Sequence, residues 1–350
     1  MKAEMRTQMR TQMRVLASPR VTLFGMVLLG MGAILSYGNP ETTPVWVLVV
    51  PMFMLSVSLF CAILTNPRIY RRKGLLLFHV SLLALVILVA YGRLSHFEAH
   101  VEMVAGKAFS MDELLRVKSG VLHSGDLENV KFIQGNYTIN YSAGLVRGLT
   151  HSHIYVPSAA QEGEWDSLIV GDDRPLIAEG YRFYTTFNKG FSPLLTWTPD
   201  DGSESLSGTV HMPSYPLFEH KQDNRWLPPG ANEEIRFWLR LSTGLDENNA
   251  WVLDGENATG VLVVSFKDTR IELNEGDEVR LGSGTLRYDQ LLTWMGYKIY
   301  YDPTLFMLFV TSMLSVLGLF VHFWQKFGVI LPESKKVINV ETKKKQLKLN

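Results

Sequence analysis

The chain has 350 residues, 47% of them hydrophobic, a mean hydropathy of +0.06, and 34 basic residues balanced by 34 acidic ones. Those averages describe an ordinary soluble domain, but their distribution argues against one. Four stretches (residues 21–37, 45–64, 74–92 and 303–324) carry almost no charge, and each approaches the ~20 residues a helix needs to cross ~30 Å of hydrocarbon. The single cysteine, Cys61, excludes an intramolecular disulfide, a CxxC redox centre and an all-cysteine metal site.

In chain order, residues 1–20 hold Lys2, Arg6, Arg10, Arg14 and Arg20 against Glu4, a net charge of +4. The tandem repeat Met5-Arg-Thr-Gln, Met9-Arg-Thr-Gln, Met13-Arg supplies positive charge and no recognisable chemistry. The first apolar stretch could be the core of a signal peptide. It is longer than a usual core, ends in Ser36-Tyr37-Gly38-Asn39-Pro40 without a small-residue cleavage site, and is soon followed by another apolar stretch, so it reads as a span. Glu41 occupies the first short loop. The second span contains Cys61, which reads as a small apolar side chain. Arg68, Arg71, Arg72 and Lys73 then give the link before the third span +4. Residues 93–302 carry −12, and after the last span Lys326, Lys335, Lys336, Lys343, Lys344, Lys345 and Lys348 against Glu333 and Glu341 give +5.

Lys and Arg stay on the cytoplasmic side during insertion, so all three basic segments point inward and the acidic segment outward. The expected fold class is an α-helical membrane protein: four transmembrane helices with a large extracytoplasmic, mainly-β domain inserted between helices 3 and 4. Its parts are a cytoplasmic basic N-terminus (1–20), three spans (21–92), the outer domain (93–302), a fourth span (303–325) and a cytoplasmic basic tail (326–350). The overall neutrality is a cancellation between two compartments, and it removes any case for nucleic-acid binding.

Within 93–302 the pattern changes to short alternating runs rich in β-branched and aromatic residues. Residues 131–141, 180–187, 234–241 and 261–266 read as strands of half-buried sheets. Pro199-Asp-Asp-Gly202, Pro228-Pro-Gly230 and Asp254-Gly255 separate them. The spacing predicts a mainly antiparallel sandwich or barrel-like domain, a short helix over 111–117 and hairpin character over 270–286. Trp294, Tyr297, Tyr300 and Tyr301 read as interfacial anchors feeding the last span.

The chain contains no GxGxxG, P-loop, HExxH or GxSxG motif, which disfavours a self-contained enzyme. The most informative polar residue is His79, an ionisable side chain within the third span, where such groups usually face a partner, a cavity or a ligand. It stands five residues past Gly74, roughly 7.5 Å along a helix, on the cytoplasmic side of the bilayer. A neutral imidazole there can ligate a metal or haem iron, serve a proton path, or hydrogen-bond a neighbouring helix. His96 and His100 would share one face if the third helix continued outward, a spacing that suits a metal or a haem edge. His151 and His153 alternate on a strand or loop, His322 lies where it can snorkel to water, and His123, His211 and His220 have no recognisable partners. The basic link around Arg71, Arg72 and Lys73 is explained as a topology signal, and could also attract acidic lipid or porphyrin propionates.

Three features together resemble the ResB (CcsB) family of cytochrome c biogenesis proteins: the plan of three spans, a β-rich outer domain and one last span; the third-span segment Leu77-Phe78-His79-Val80-Ser81-Leu82-Leu83; and the exit Gly296-Tyr-Lys-Ile-Tyr-Tyr-Asp302-Pro303 leading to Gly318-Leu-Phe. The resemblance runs from about Ser18 to Gln325, with Thr304 where the family commonly has Gly. It implies a subunit of the system II haem synthase in a bacterial inner membrane, paired with a CcsA (ResC) subunit. Together they would carry haem b outward and present it for covalent attachment to the CxxCH motif of apocytochrome c. It further implies that His79 is an axial ligand at an inner haem site, with Arg71, Arg72 and Lys73 as candidate propionate contacts. The eight tryptophans are scattered, with no tryptophan-rich haem motif, so this chain alone is expected to be a non-catalytic or co-catalytic subunit. A non-enzymatic scaffold for assembly of a respiratory complex, with His79 structural, is the competing expectation.

Overall fold

The computed structural model describes residues 2–40, 42–161, 163–229, 231, 233–242 and 244–328. Glu41, Gly230 and the lysine tail beyond residue 328 lie outside the described residues. Among the described residues the chain forms two compact units, one within residues 2–95, 120–122 and 303–328, the other within residues 96–119 and 123–302.

The first unit is helical: α1 (Lys2–Leu16), α2 (Pro19–Gly38), α3 (Trp46–Thr65), the short α4 (Pro67–Tyr70), α5 (Lys73–Ser95) and α6 (Leu305–Gly328). Four of them, α2, α3, α5 and α6, are long and apolar enough to cross a membrane. Start signals explain two of the boundaries. Ser18 precedes Pro19 at the first position of α2, and Asn66 precedes Pro67 in α4, its side chain accepting from the Arg68 N–H at 3.0 Å. The closest helix contact pairs α5 with α6. A methyl group on Gly74 would sit 2.5 Å from the His322 nitrogen, and one on Gly318 would sit 2.6 Å from the Phe78 nitrogen. Only small residues allow two helix backbones to approach so closely, which gives Gly318 of the exit motif a packing role.

Among the described residues, the second unit holds three antiparallel sheets. The largest has seven strands in the order β2 (Leu115–Ser119), β1 (Phe97–Val104), β15 (Gly284–Tyr301), β7 (Tyr181–Pro199), β6 (Leu176–Ala178), with β14 (Glu278–Leu281) also on β15 and β8 (Leu206–Thr209) on β7. A second sheet runs β13 (Thr269–Leu273), β12 (Gly260–Phe266), β10 (Ile235–Leu241), β9 (Asp223–Trp226). The third runs β11 (Trp251–Asp254), β3 (Ile133–Ser142), β4 (Val146–Pro157), β5 (Trp165–Gly171). Period-two alternation builds the core from all three. β1 buries Phe97, Ala99, Val101 and Met103, β10 buries Ile235, Phe237 and Leu239, and β3 buries Tyr137, Ile139 and Tyr141, all within one hydrophobic cluster.

Several expectations change. Residues 111–117 are a single 3-10 turn over Met111–Glu113 followed by β2, because Ser110 caps the Asp112 N–H and the chain then pairs with β1. The hairpin in 270–286 is β14 with β15, whereas β13 pairs with β12. The strand expected at 180–187 extends through Pro199 as the 19-residue β7. Trp294 and Tyr297 are core residues of β15, 4% and 1% exposed, not interfacial anchors. Apolar aromatics next to a span look alike in sequence whether they face lipid or a sheet core.

Candidate functional site

His79 lies in the second turn of α5, half-buried. Its Nδ1 is 2.7 Å from the carbonyl oxygen of Leu75, one turn earlier. A carbonyl has no proton to give, so Nδ1 carries the N–H and donates, and a neutral ring held this way has its lone pair on Nε2. This is the arrangement found behind many metal-bound imidazoles, where a backbone carbonyl fixes the tautomer and aims the other nitrogen. Phe78 stands edge-on to the ring at 5.2 Å between centroids. Gly74 and Phe78 present their backbones to α6, and each helical residue advances ~100°, so His79 is turned away from that crossing.

One turn further on, Leu83 begins a stripe of Leu83, Ile87, Ala90, Tyr91 and Leu94, which forms the α5 wall of an almost wholly apolar groove of about 450 Å3 against α3. His79 therefore sits at i−4 from the first residue of the groove. Before His79, Arg71 ends α4, Arg72 is in the bend and Lys73 opens α5; all three side chains are exposed. None of the three forms an ion pair among the described residues. The local chemistry is thus an imidazole anchored through Nδ1, an apolar surface beyond it and, among the described residues, cations without ion-pair partners before it.

The other histidines separate from this group. α5 ends at Ser95 and β1 begins at Phe97, so His96 and His100 do not share a helix face. Along an extended backbone four residues span about 13 Å, too far for one metal ion. His100 has its pKa lowered, first by burial and then by Lys298, and its buried Nδ1 has no hydrogen-bond partner among the described residues. His151 and His153 do share a face of β4, but no group of three His, Cys, Asp or Glu able to hold a metal occurs among the described residues. His123 and His211 acquire partners that the sequence did not suggest: Tyr181 Oη lies 2.8 Å from His123 Nε2, and Glu102 lies 3.7 Å from His211.

The exit segment is also explained by packing. Gly296 lies at a bulge of β15 against β7, where a side chain would strike the Asn188 carbonyl at 2.7 Å. Its neighbour Tyr297 closes a buried ring of hydrogen bonds. Tyr297 Oη donates to Gln134 Oε1 at 2.8 Å, Gln134 Nε2 donates to Ser152 Oγ at 2.9 Å, and Ser152 Oγ lies 2.8 Å from Tyr297 Oη. Burial raises the Tyr297 pKa, opposed by the hydrogen bonds from this ring. No sequence signal joined these three residues, which are far apart in the chain.

Among the described residues, four apolar helices of membrane-spanning length and a mainly-β unit are the features expected of a membrane protein with a sheet domain. The ResB-like family model matches residues 68–327, from the basic link to the end of α6, and the chain belongs to the ResB-like family. That family is associated with cytochrome c biogenesis, and its members normally work with a membrane partner. No curated protein matches the chain.

Proposed function

We propose that this protein is the ResB-type subunit of a system II cytochrome c haem synthase, which receives haem b at the inner side of the membrane and, with a CcsA (ResC) subunit, presents it outside to apocytochrome c. In this reading the four apolar helices span a bacterial inner membrane, with both termini in the cytoplasm and the β unit, carried between the third and fourth spans, outside. The charge distribution supports that orientation.

The observation that carries the proposal is the contact of His79 Nδ1 with the Leu75 carbonyl. With Nδ1 donating to Leu75, Nε2 offers the lone pair that an axial ligand needs. Haem is a wide apolar plane with two anionic propionates. The apolar stripe that begins at Leu83 suits the plane, and the exposed Arg71, Arg72 and Lys73 suit the propionates. Haem is cargo here, and the chain's part is to hold it at Nε2, orient it by charge and shield it from water along an apolar wall.

The experiment is an absorption spectrum of the detergent-purified complex with a CcsA-type subunit, wild type against His79→Ala. A Soret band that is lost in the variant and restored by added imidazole is the expected result. A haem-free wild-type complex, or the same band in both proteins, would return His79 to a structural role and favour the scaffold alternative.

A further inference from the structure

Lys189 on β7 is 2% exposed, and a buried ammonium normally has a carboxylate beside it. Its Nζ instead donates to two neutral oxygens, Thr150 Oγ1 at 2.9 Å and the Thr186 carbonyl at 3.0 Å. The carboxylate nearest in influence, Asp172, has its acceptor sites filled. Oδ1 accepts from Arg147 at 3.1 Å and from Thr185 Oγ1 at 2.9 Å, and Oδ2 accepts from Arg147 at 2.8 Å and from the Thr150 N–H at 3.1 Å. Arg147 also donates to Thr150 Oγ1 at 2.5 Å, so guanidinium and ammonium meet on one hydroxyl. Two cations thus share one anion, and the buried Arg147 Nε has no hydrogen-bond partner among the described residues.

These cations line a cavity of about 330 Å3 whose remaining walls include Tyr141, Phe187, Tyr215 and Leu217. The Phe187 ring stacks over the Arg147 guanidinium with 4.4 Å to its centroid, yet is 73% exposed, and Leu217 is 66% exposed. The site therefore has an excess of positive charge inside and an apolar aromatic rim outside. Its volume is at the small end of ligand pockets. We propose that this cavity binds a small organic anion with a flat apolar body, an aromatic carboxylate of one or two rings, its carboxylate accepting from Lys189 Nζ and Arg147 Nε. The inference goes beyond the haem reading and does not depend on it.

Burial pushes the Lys189 pKa down to about 7, with Arg147 acting in the same direction and Asp172 against it. The groups facing it are Arg147 from β4, Asp172 from the turn after β5, and the cavity-lining Tyr141 and Tyr215. A bound carboxylate favours the protonated lysine, so affinity should rise as pH falls through 7.

The test is calorimetric titration of the full-length protein in detergent with 1-naphthoate, using 1-naphthalenemethanol as the neutral isostere and micelles alone as the blank. The expected result is naphthoate binding about tenfold tighter at pH 6 than at pH 8, from the change in protonated fraction, and no comparable binding of the alcohol. Lys189→Met should lose at least tenfold in affinity together with the pH dependence. Phe187→Ala, at a 73% exposed position, should weaken binding severalfold and keep the pH dependence, which preserves the test should Lys189→Met not fold. No protein-dependent heat from naphthoate, equal binding of acid and alcohol, or wild-type affinity in Lys189→Met would overturn the proposal.

Discussion

The helical unit and the sheet unit satisfy their polar side chains in opposite ways. In the apolar helices Ser56, Thr65, Ser95 and Ser312 each fold back onto the carbonyl one turn earlier, and His79 does the same onto Leu75. Thr22 with Ser58, at 3.0 Å, is a contact between helices. In the sheet unit, by contrast, Gln134, Ser152 and Tyr297, or Arg147, Thr150, Asp172 and Lys189, come from segments far apart in the chain and hydrogen-bond to one another. A helix surface this apolar offers few hydrogen-bonding partners, so a polar group on it is cheapest when it closes on its own backbone. The difference matters for function because a hydroxyl that folds back has spent its single proton, whereas an imidazole that folds back has a second ring nitrogen left over.

Breaking the comparison on the helical side should give the largest effect. Gly74→Leu or Gly318→Leu forces side-chain atoms into the opposing backbone, where a methyl group alone would come within 2.6 Å. A loss of about 3 kcal/mol, at the upper end for overpacking, should appear as collapse of folded yield after extraction and a large drop in Tm. Wild-type yield and Tm would contradict the close crossing.

On the sheet side, Tyr297→Phe removes one member of the buried ring and leaves Gln134 Oε1 short of a donor, at a cost of about 1–3 kcal/mol. A double-mutant cycle of Tyr297→Phe with Ser152→Ala, read by denaturant unfolding, should be strongly non-additive. Simple additivity would mean that the three residues do not act as one network.

Lys189 sharpens the contrast through pH. An unfolded lysine has a pKa near ~10.4, and the folded value is lowered to about 7, so between them the unfolded chain binds more protons and stability rises with pH. Tm should therefore increase from pH 7 to pH 9, below the range where the tyrosines titrate, and Lys189→Met should flatten that slope. A slope that survives in the variant would place the linked proton elsewhere. The smallest effect belongs to exposed pairs. Arg240 and Glu272 are joined at 2.8 and 3.1 Å across β10 and β12's outer neighbour β13, but both are about half exposed, and Arg240→Ala should cost no more than about 1 kcal/mol in denaturant unfolding.

The four apolar helices, the basic link and His79 were legible in the sequence because uncharged length and a lone ionisable group are local signals. Strand positions such as 234–241 were legible for the same reason, since Ile235, Phe237 and Leu239 alternate with Arg236, Trp238 and Arg240. What escaped depended on distant pairing. Nothing local distinguishes Trp294 and Tyr297 facing a sheet core from aromatics facing lipid, and the network around Lys189 draws on β4, the turn after β5 and β7. His96 and His100 failed for a different reason: their spacing means shared ligation only on a helix, and the helix ends at Ser95. The packing roles of Gly296 and Gly318 needed the partner backbones to be in place.

The most direct measurement is 15N NMR of histidine-labelled protein without haem, with His79→Ala used to assign the signals. The expected result is that, in the neutral ring, Nδ1 is protonated and Nε2 is not. A neutral Nε2–H tautomer would contradict it, because the nitrogen assigned to the haem iron would then have no lone pair to give.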